Sequence, residues 1–73
     1  MNITTKLFAS LRKSRFDVNN MECEDNTTVG KICRQLDIAE NQVIILVNNR
    51  HVELNYVLLD GDVLAIFPVV GGG

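Results

Sequence analysis

The clearest structural signal in the chain is its closing stretch, Asp62-Val-Leu-Ala-Ile-Phe-Pro-Val-Val-Gly-Gly-Gly73. Residues 63–67 are continuously apolar and rich in β-branched and aromatic side chains, which is typical of a buried or central strand. Pro68 has no backbone N–H to donate, so regular strand pairing should end there. The three glycines that follow bury no side chain and lose the most conformational entropy on ordering, so we expect a mobile tail.

This tail offers a single chemical group, the α-carboxylate of Gly73. An α-carboxyl group has a reference pKa of about 3.3–3.7, so it is ionised at neutral pH and can act as an oxygen nucleophile. We therefore expect a folded domain over residues 1–70 that presents a flexible glycine tail over residues 71–73.

The residues before the closing stretch predict a second interior strand and two tight turns. Asp60-Gly-Asp62 indicates a turn that feeds the last strand. Val43-Ile-Ile-Leu-Val47 is another continuous apolar run and predicts another interior strand. Asn48-Asn49 predicts a hairpin turn, because Asn tolerates positive φ, and residues 51–54 predict a short return strand.

The middle of the chain predicts one amphipathic helix. Thr28 is the expected N-cap and Asp37 the expected end. Apolar side chains at helical spacing form a single stripe, which comprises Val29, Ile32, Cys33 and Leu36. Cys33 is therefore expected to be a small core residue, and Cys23 to be more exposed. The two cysteines fit neither a disulfide framework nor a metal site.

The first part of the chain predicts an antiparallel pair of strands. Residues 2–9 form the first strand and residues 15–24 the second. The apolar side of the second strand changes after Asn19-Asn20, which predicts a bulge. The basic residues between the two strands, Arg12, Lys13 and Arg15, are interpreted as a solvated turn, with a docking patch as the alternative.

The order of these elements, ββαβ(β)β, predicts an α+β protein of β-grasp (ubiquitin-like) fold, with a mixed sheet of four or five strands and one main helix. The two interior strands should lie near the centre of the sheet. Leu64 and Ile66 should face the helix, which leaves Ala65 and Phe67 on the outward face; if the phase of the strand is reversed, their neighbours face outward instead. An apolar outward face on a small domain is typical of a surface that binds a protein.

Composition excludes several classes of function. The chain has 73 residues, of which 47% are hydrophobic, and it contains no apolar run near the roughly 20 residues that a membrane span needs. We expect a cytoplasmic protein with no secretory signal and no membrane association. A net charge of −2 argues against nucleic acid as a partner, because phosphate neutralisation requires clustered Lys and Arg. No catalytic constellation or phosphate-binding loop is recognisable, so we do not expect an enzyme in its own right.

Four segments together carry a family resemblance: Lys6-Leu-Phe-Ala-Ser-Leu-Arg12, the helix start Thr28-Val29, the turn Val47-Asn48, and Asp60-Gly-Asp-Val-Leu-Ala-Ile-Phe-Pro-Val-Val-Gly-Gly-Gly73. Over essentially its whole length the chain resembles the MoaD/ThiS family of ubiquitin-like sulfur carriers. The opening and the Phe67-Pro68 pair resemble the small subunit of molybdopterin synthase. The three-glycine ending is more similar to some carriers of the thiamine pathway.

The resemblance implies a mechanism and a set of partners. An E1-like adenylating enzyme of the MoeB/ThiF type uses ATP to activate the Gly73 carboxylate, and a sulfur donor of the cysteine desulfurase or rhodanese type converts it to a thiocarboxylate. The sulfur then passes to an acceptor, either a synthase large subunit of the MoaE type, for molybdopterin or tungstopterin, or a thiazole synthase. The chain itself should bind no cofactor or metal. Gly72 and Gly73 suit a narrow channel because neither carries a Cβ.

The resemblance also implies a partner-binding surface, which comprises Phe8, Arg12, His51, Phe67, Pro68, Val70 and Gly71. An exposed strand histidine is the alternative interpretation of His51, and core packing is the alternative for Phe67. Two functions of other classes stay open. One is a ubiquitin-like modifier joined through Gly73 to lysines of other proteins, and the other is a β-grasp binding module that needs no free carboxylate.

Overall fold

A computed structural model describes residues 1–69 of the protein. They form a five-stranded mixed sheet with one main helix, so the predicted β-grasp fold is confirmed. The elements, in chain order, are β1 (Asn2–Leu7), β2 (Val18–Glu22), α1 (Val29–Gln35), β3 (Val43–Val47), β4 (Arg50–His51) and β5 (Val63–Pro68). Short 3-10 turns cover Ala9–Arg12 and Glu40–Gln42.

The closing strand lies at the centre of the sheet, whose order is β2-β1-β5-β3-β4. β5 pairs in parallel with β1 on one side and antiparallel with β3 on the other. As predicted, Pro68 is the last residue of β5, where it lies opposite Val43. A continuous apolar run suits this position because a central strand buries most of its surface.

The helix begins where the sequence predicts and ends at Gln35, two residues before the predicted end at Asp37. The Thr28 hydroxyl accepts a hydrogen bond from the Lys31 backbone N–H (3.3 Å), which caps the first turn. Asp37 follows the helix with a φ of +58°, so the helix cannot continue through it. Its apolar stripe packs on one face of the sheet to form a core of buried side chains: Ile3, Leu7, Val29, Ile32, Cys33, Ile38, Ile45, Val47, Leu58, Leu64 and Ile66.

The prediction of a bulge in the second strand is wrong. β2 pairs with β1 in an unbroken antiparallel register from Asn2 opposite Glu22 to Lys6 opposite Val18. The apolar pattern changed side because Phe16 lies ahead of the strand, while Val18 is 58% exposed on the edge strand. Within β2 only Met21 packs against the core, so one side chain rather than an alternating set anchors this edge.

The return strand is shorter than predicted, since β4 ends at His51. The chain leaves the sheet after His51 because two of the backbone carbonyls that follow accept hydrogen bonds from the helix. The Leu54 carbonyl accepts from the Gly30 N–H (2.8 Å) and the Tyr56 carbonyl accepts from the Val29 N–H (3.0 Å). These bonds pair donors in the first turn of α1 that have no partner within the helix.

One member of the predicted basic turn has a structural role. Arg15 donates from Nε to the Leu36 carbonyl (3.0 Å), from Nη2 to the Asp37 carbonyl (2.9 Å) and from Nη1 to the Leu11 carbonyl (3.2 Å). Its positive charge therefore lies at the C-terminal end of α1, where the helix dipole favours a cation. The interpretation of this segment as a solvated turn is too simple for Arg15.

A polar network fixes the start of the closing strand. Asn48 and Asn49 both have positive φ, as the predicted two-residue hairpin turn requires. The Asn48 amide donates to Asp62 Oδ1 (2.9 Å) and its Oδ1 accepts from the Val63 N–H (2.9 Å). Asp62 is buried, and its Oδ2 accepts from the Leu59 N–H (2.9 Å). The hairpin turn at Asn48-Asn49 and the turn at residues 60–62 are thereby hydrogen-bonded to each other where β5 begins.

No helix within residues 1–69 has the length and apolar character required to cross a membrane.

Candidate functional site

Val69, the last described residue, is held beside the sheet by a backbone hydrogen bond. β5 runs to Pro68, and the Val69 N–H then donates to the Gln42 carbonyl (2.9 Å). This bond attaches Val69 to the turn that leads into β3. We call residues 67–69 the root of the tail.

The predicted tail residues Val70, Gly71, Gly72 and Gly73 lie outside the described residues, as does the predicted domain boundary after residue 70. Their roles in activation and partner binding stay predictions.

An apolar surface adjoins the root of the tail, on the side of the sheet that faces away from the helix. In β5, Leu64 and Ile66 are fully buried against the helix, while Ala65 and Phe67 alternate with them and are half-buried. This arrangement confirms the predicted direction of all four side chains. Because pairing aligns outward positions on neighbouring strands, Ile44 lies opposite Phe67 and Leu46 lies opposite Ala65.

Phe8 and Phe67 form the aromatic centre of this surface. Their rings are stacked with centroids 4.2 Å apart and planes 13° apart. The parallel register of β1 and β5 places them side by side, and the Phe8 N–H donates to the Ile66 carbonyl (3.2 Å). Ala9 follows with a φ of +53° and begins the first 3-10 turn. We call the set Phe8, Ile44, Leu46, Ala65 and Phe67 the outer face.

The other predicted partner-binding residues lie around the outer face. His51 is exposed on β4 opposite Leu46, so it extends the outer face at the edge of the sheet. Pro68 is half-buried beside Phe67 at the root of the tail. Arg12 ends the 3-10 turn after Phe8, where its guanidinium lies 3.9 Å from the Asp17 carboxylate, with both side chains largely exposed. The structure thus places all three at or near one surface, and their role in binding stays a prediction.

Two residues of the outer face were missed from the sequence. Ile44 is 44% exposed at its centre, and Leu46 is half-buried between Ala65 and His51. A continuous apolar run such as 43–47 does not reveal which of its residues face outward. The antiparallel pairing with β5 supplies that information, because a residue opposite an outward Phe67 must itself face outward. Lys6 lies beside Ala65 and contributes a positive charge to the same side of the sheet.

The two thiols are poorly suited to carry a nucleophilic sulfur. Burial raises the pKa of Cys33 to about 11, and it also raises the pKa of Cys23. Because the thiolate is the reactive form, both side chains stay protonated and unreactive at neutral pH. Among residues 1–69, no group of His, Cys, Asp and Glu side chains is arranged to hold a metal ion.

Comparisons with known proteins agree with this geometry. A family model described as the ThiS family matches residues 5–73. No curated protein sequence gives a significant match. The fold is similar to that of a putative molybdopterin converting factor, subunit 1, from Pyrococcus furiosus, with 26% identity, a TM-score of 0.80, and coverage of 96% of this chain and 99% of that one.

Two further structures extend the likeness of fold. SAMP1 from Haloferax volcanii is 24% identical, with a TM-score of 0.79 and full coverage of both chains. A chain from the protein-protein complex of subunits 1 and 2 of the molybdopterin-converting factor from Helicobacter pylori is 22% identical, with a TM-score of 0.68 and full coverage of both chains. At these identities, the two likenesses show the ubiquitin-like fold alone.

Proposed function

Because the chain belongs to the ThiS family, we propose that it is a sulfur carrier whose Gly73 carboxylate is adenylated and then converted to a thiocarboxylate. The observation that carries the proposal is an apolar outer face beside the root of the tail. A surface of this kind on a small domain is typical of a protein-binding site. The domain would act in the cytoplasm, where its two unpaired cysteines suit a reducing environment.

The proposed chemistry takes place on partner enzymes. On an E1-like enzyme of the MoeB/ThiF type, a carboxylate oxygen of Gly73 attacks the α-phosphorus of ATP and pyrophosphate leaves. The terminal sulfur of a persulfide, supplied by a cysteine desulfurase or rhodanese, then attacks the acyl carbon and AMP leaves. A second thiol cleaves the resulting acyl disulfide, which leaves the thiocarboxylate. In this scheme ATP is a substrate of the activating enzyme, and the carrier holds no cofactor.

The length of the tail explains why the domain itself must bind. Val69 is held at the body by the Gln42 carbonyl, and four residues follow it. A fully extended chain spans about 3.3–3.6 Å per residue, so Gly73 reaches at most about 14 Å beyond Val69. An activating enzyme must therefore bring its nucleotide close to the body. The surface nearest to that approach is the outer face around Phe67.

The resemblance of the opening segment and of the Phe67-Pro68 pair to molybdopterin synthase small subunits favours the molybdopterin or tungstopterin branch. Phe8 directly follows β1 and stacks on Phe67, so the turn after β1 shapes the outer face. Subunit 1 of the Pyrococcus furiosus converting factor, at 26% identity, shares this fold over nearly its whole length. We propose that the acceptor is a synthase large subunit of the MoaE type. Thiazole synthase is the alternative acceptor, and the same outer face would serve it.

The test begins with activation. The protein is incubated with ATP, a sulfur donor and, in separate reactions, a MoeB-type or a ThiF-type enzyme, and its intact mass is measured. The parent should gain sulfur, whereas a variant with one residue appended after Gly73 should not. Equal conversion of the extended variant would show that the carboxylate of Gly73 is not the reacting group.

The acceptor is identified by a second reaction. The thiocarboxylated protein is added to a MoaE-type subunit with a pterin precursor, or to a thiazole synthase with its substrates. We expect sulfur transfer with the first acceptor. Transfer to thiazole alone would place the protein in the thiamine pathway instead.

A protein modifier would use the same activation step and differ afterwards. Its activated carboxylate would form an amide with a lysine of another protein, so conjugates released by proteolysis would carry the tail on lysine. Such conjugates, together with an absence of sulfur transfer to either acceptor, would favour the modifier.

A further inference from the structure

A second apolar surface lies away from the outer face. A pocket of about 320 Å³ is lined by Met1, Asp25, Asn26, Val57, Leu58, Leu59 and Asp60. Leu59 is 63% exposed and Val57 is 45% exposed, so both leave as much of their surface open as Ile44 does in the outer face. We call this surface the distal pocket. Neither the predicted core nor the predicted partner-binding surface accounts for it.

The distal pocket lies at the end of the sheet opposite the root of the tail. The Gly61 N–H donates to the Asn2 carbonyl (2.7 Å) and the Thr4 N–H donates to the Asp62 carbonyl (3.0 Å), so the pocket adjoins the start of β1 and β5. The tail follows the other end of β5. A six-residue strand at about 3.3 Å per residue separates the two ends by about 20 Å. A partner that holds the root of the tail therefore leaves the distal pocket open.

The walls of the distal pocket are fixed by hydrogen bonds. The Leu58 N–H donates to the Thr27 carbonyl (2.8 Å), and Val57 forms a β-bridge with Thr28. Asp60 Oδ1 accepts from the Asn2 N–H (2.7 Å), and the amino-terminal nitrogen of Met1 donates to the Cys23 carbonyl (2.8 Å). The apolar side chains are thus presented by a hydrogen-bonded backbone, and such pre-organisation lowers the entropic cost of association.

The charge around the distal pocket defines its complement. The lining contains two carboxylates, Asp25 and Asp60, and one positive charge, the ammonium of Met1. Neither carboxylate forms an ion pair in the described part of the chain. Glu22 and Glu24 lie on the adjoining end of β2 and just beyond it, and both are exposed. Apolar walls beneath an acidic rim match an aliphatic side chain that is flanked by lysine or arginine.

We propose that the distal pocket docks a protein segment whose exposed aliphatic residues are flanked by basic residues, and that it does so while the outer face and the tail are engaged elsewhere. Binding to the segment does not depend on the sulfur-carrier function, but the simultaneous engagement rests on it. Such a site would keep the domain attached to an assembly between successive visits of its tail to different enzymes.

Nuclear magnetic resonance with a defined probe tests the proposal. The uniformly 15N-labelled protein is titrated with the peptide Lys-Lys-Leu-Leu-Lys-Lys and with the control peptide Glu-Glu-Leu-Leu-Glu-Glu. The basic peptide should shift the amides of residues 25–26 and 57–60 and leave Phe8, Ile44 and Phe67 unchanged. The acidic peptide should bind at least about tenfold more weakly, because like charges repel at the rim.

Two variants make the test specific. Leu59→Ser removes an exposed side chain and should weaken binding of the basic peptide by about tenfold. Asp25→Asn removes one rim charge and should reduce the affinity and its dependence on salt. Both positions are exposed, so the amide spectra should retain the dispersion of the parent. Neither variant should alter conversion to the thiocarboxylate, which separates this proposal from the proposed function.

Any of five outcomes would overturn the docking proposal. In the first, the basic peptide shifts no pocket amide; in the second, it shifts the outer face equally, which would indicate unspecific apolar binding. Equal binding of both peptides, or undiminished binding by Leu59→Ser, would remove the argument from charge or from the pocket. Shifts of the pocket amides that grow with protein concentration alone would identify a second copy of this chain as the occupant.

Discussion

Replacing Ile44 by Asp should separate binding by the outer face from folding. Ile44 faces outward from β3, opposite Phe67, and is 44% exposed. Full burial of an isoleucine side chain contributes about 1.5–3 kcal/mol, so losing the buried part costs about 1–2 kcal/mol of stability. A domain of this size is typically stable by about 4–11 kcal/mol, at ~0.05–0.15 kcal/mol per residue. The variant should therefore remain folded at room temperature.

The effect on complex formation should be much larger. A partner that covers the outer face removes water from position 44, and an unpaired buried carboxylate costs about 3–5 kcal/mol. Since about 1.4 kcal/mol corresponds to a tenfold change, we expect Ile44→Asp to weaken binding to the activating enzyme by more than about 100-fold.

Val57 provides a matched control on another part of the surface. It is 45% exposed, β-branched and part of a β-bridge, so Val57→Asp should cost a similar amount of stability. Stability is measured by urea unfolding, and affinity for the activating enzyme by isothermal titration calorimetry. The reasoning is refuted if folded Ile44→Asp binds within about tenfold of the parent, or if Val57→Asp loses as much affinity.

Three further predictions concern contacts seen in the structure. The Phe8–Phe67 stack should give a coupling of about 0.5–1.5 kcal/mol in a double-mutant cycle of urea unfolding with Phe8→Ala and Phe67→Ala, and a coupling near zero would contradict a stabilising stack. Arg15→Gln should lower the free energy of unfolding by about 1 kcal/mol because it removes charged donors from carbonyls at the helix end, whereas Lys13→Gln should be nearly neutral; equal effects would contradict the capping role. Burial raises the pKa of Cys33 from its ordinary value of 9.0 to about 11 in the folded protein. The stabilisation of the folded state by the buried, protonated thiol is therefore fully present below pH 9 and is lost as the pH rises from 9 to about 11. Over that window the parent should lose up to about 1.4 kcal/mol per pH unit relative to Cys33→Ala, and parallel pH profiles would contradict this origin.

The fold was predictable where local pattern and tertiary packing agree. The apolar run before Pro68 forms the central strand, and Thr28 caps a helix whose stripe packs on the sheet. These signals are strong because a central strand and an amphipathic helix each bury the surface that their own sequence marks as apolar. The two asparagines with positive φ belong to the same class, because the backbone conformation selects the residue.

Predictions failed where a segment's partners are distant in sequence. Residues 51–54 were predicted as a strand, but the Leu54 carbonyl and, just beyond, the Tyr56 carbonyl pair with the first turn of the helix, so the return strand ends at His51. The edge strand keeps a regular register although only Met21 reaches the core. In both segments the secondary structure depends on which distant residues pack or pair with it, and local composition does not contain that information.

The residues of the candidate site were also predicted only in part from the sequence. Phe8 and Phe67 were identified through a family resemblance, and the structure brings their rings into contact. Ile44 was missed because an uninterrupted apolar run has no alternation of apolar and polar residues to indicate which side chains face outward. Once the pairing of β3 with β5 is known, its outward position follows from that of Phe67.

The proposed function depends on the chemistry of the Gly73 carboxylate, which intact mass spectrometry with fragmentation measures. The parent is incubated with ATP, a sulfur donor and the activating enzyme, and the mass of its C-terminal fragment is determined. We predict an ATP-dependent gain equal to the difference between one sulfur and one oxygen atom, located at Gly73. An unchanged C-terminal fragment, in a mixture that converts another carrier of the same family, would contradict the account.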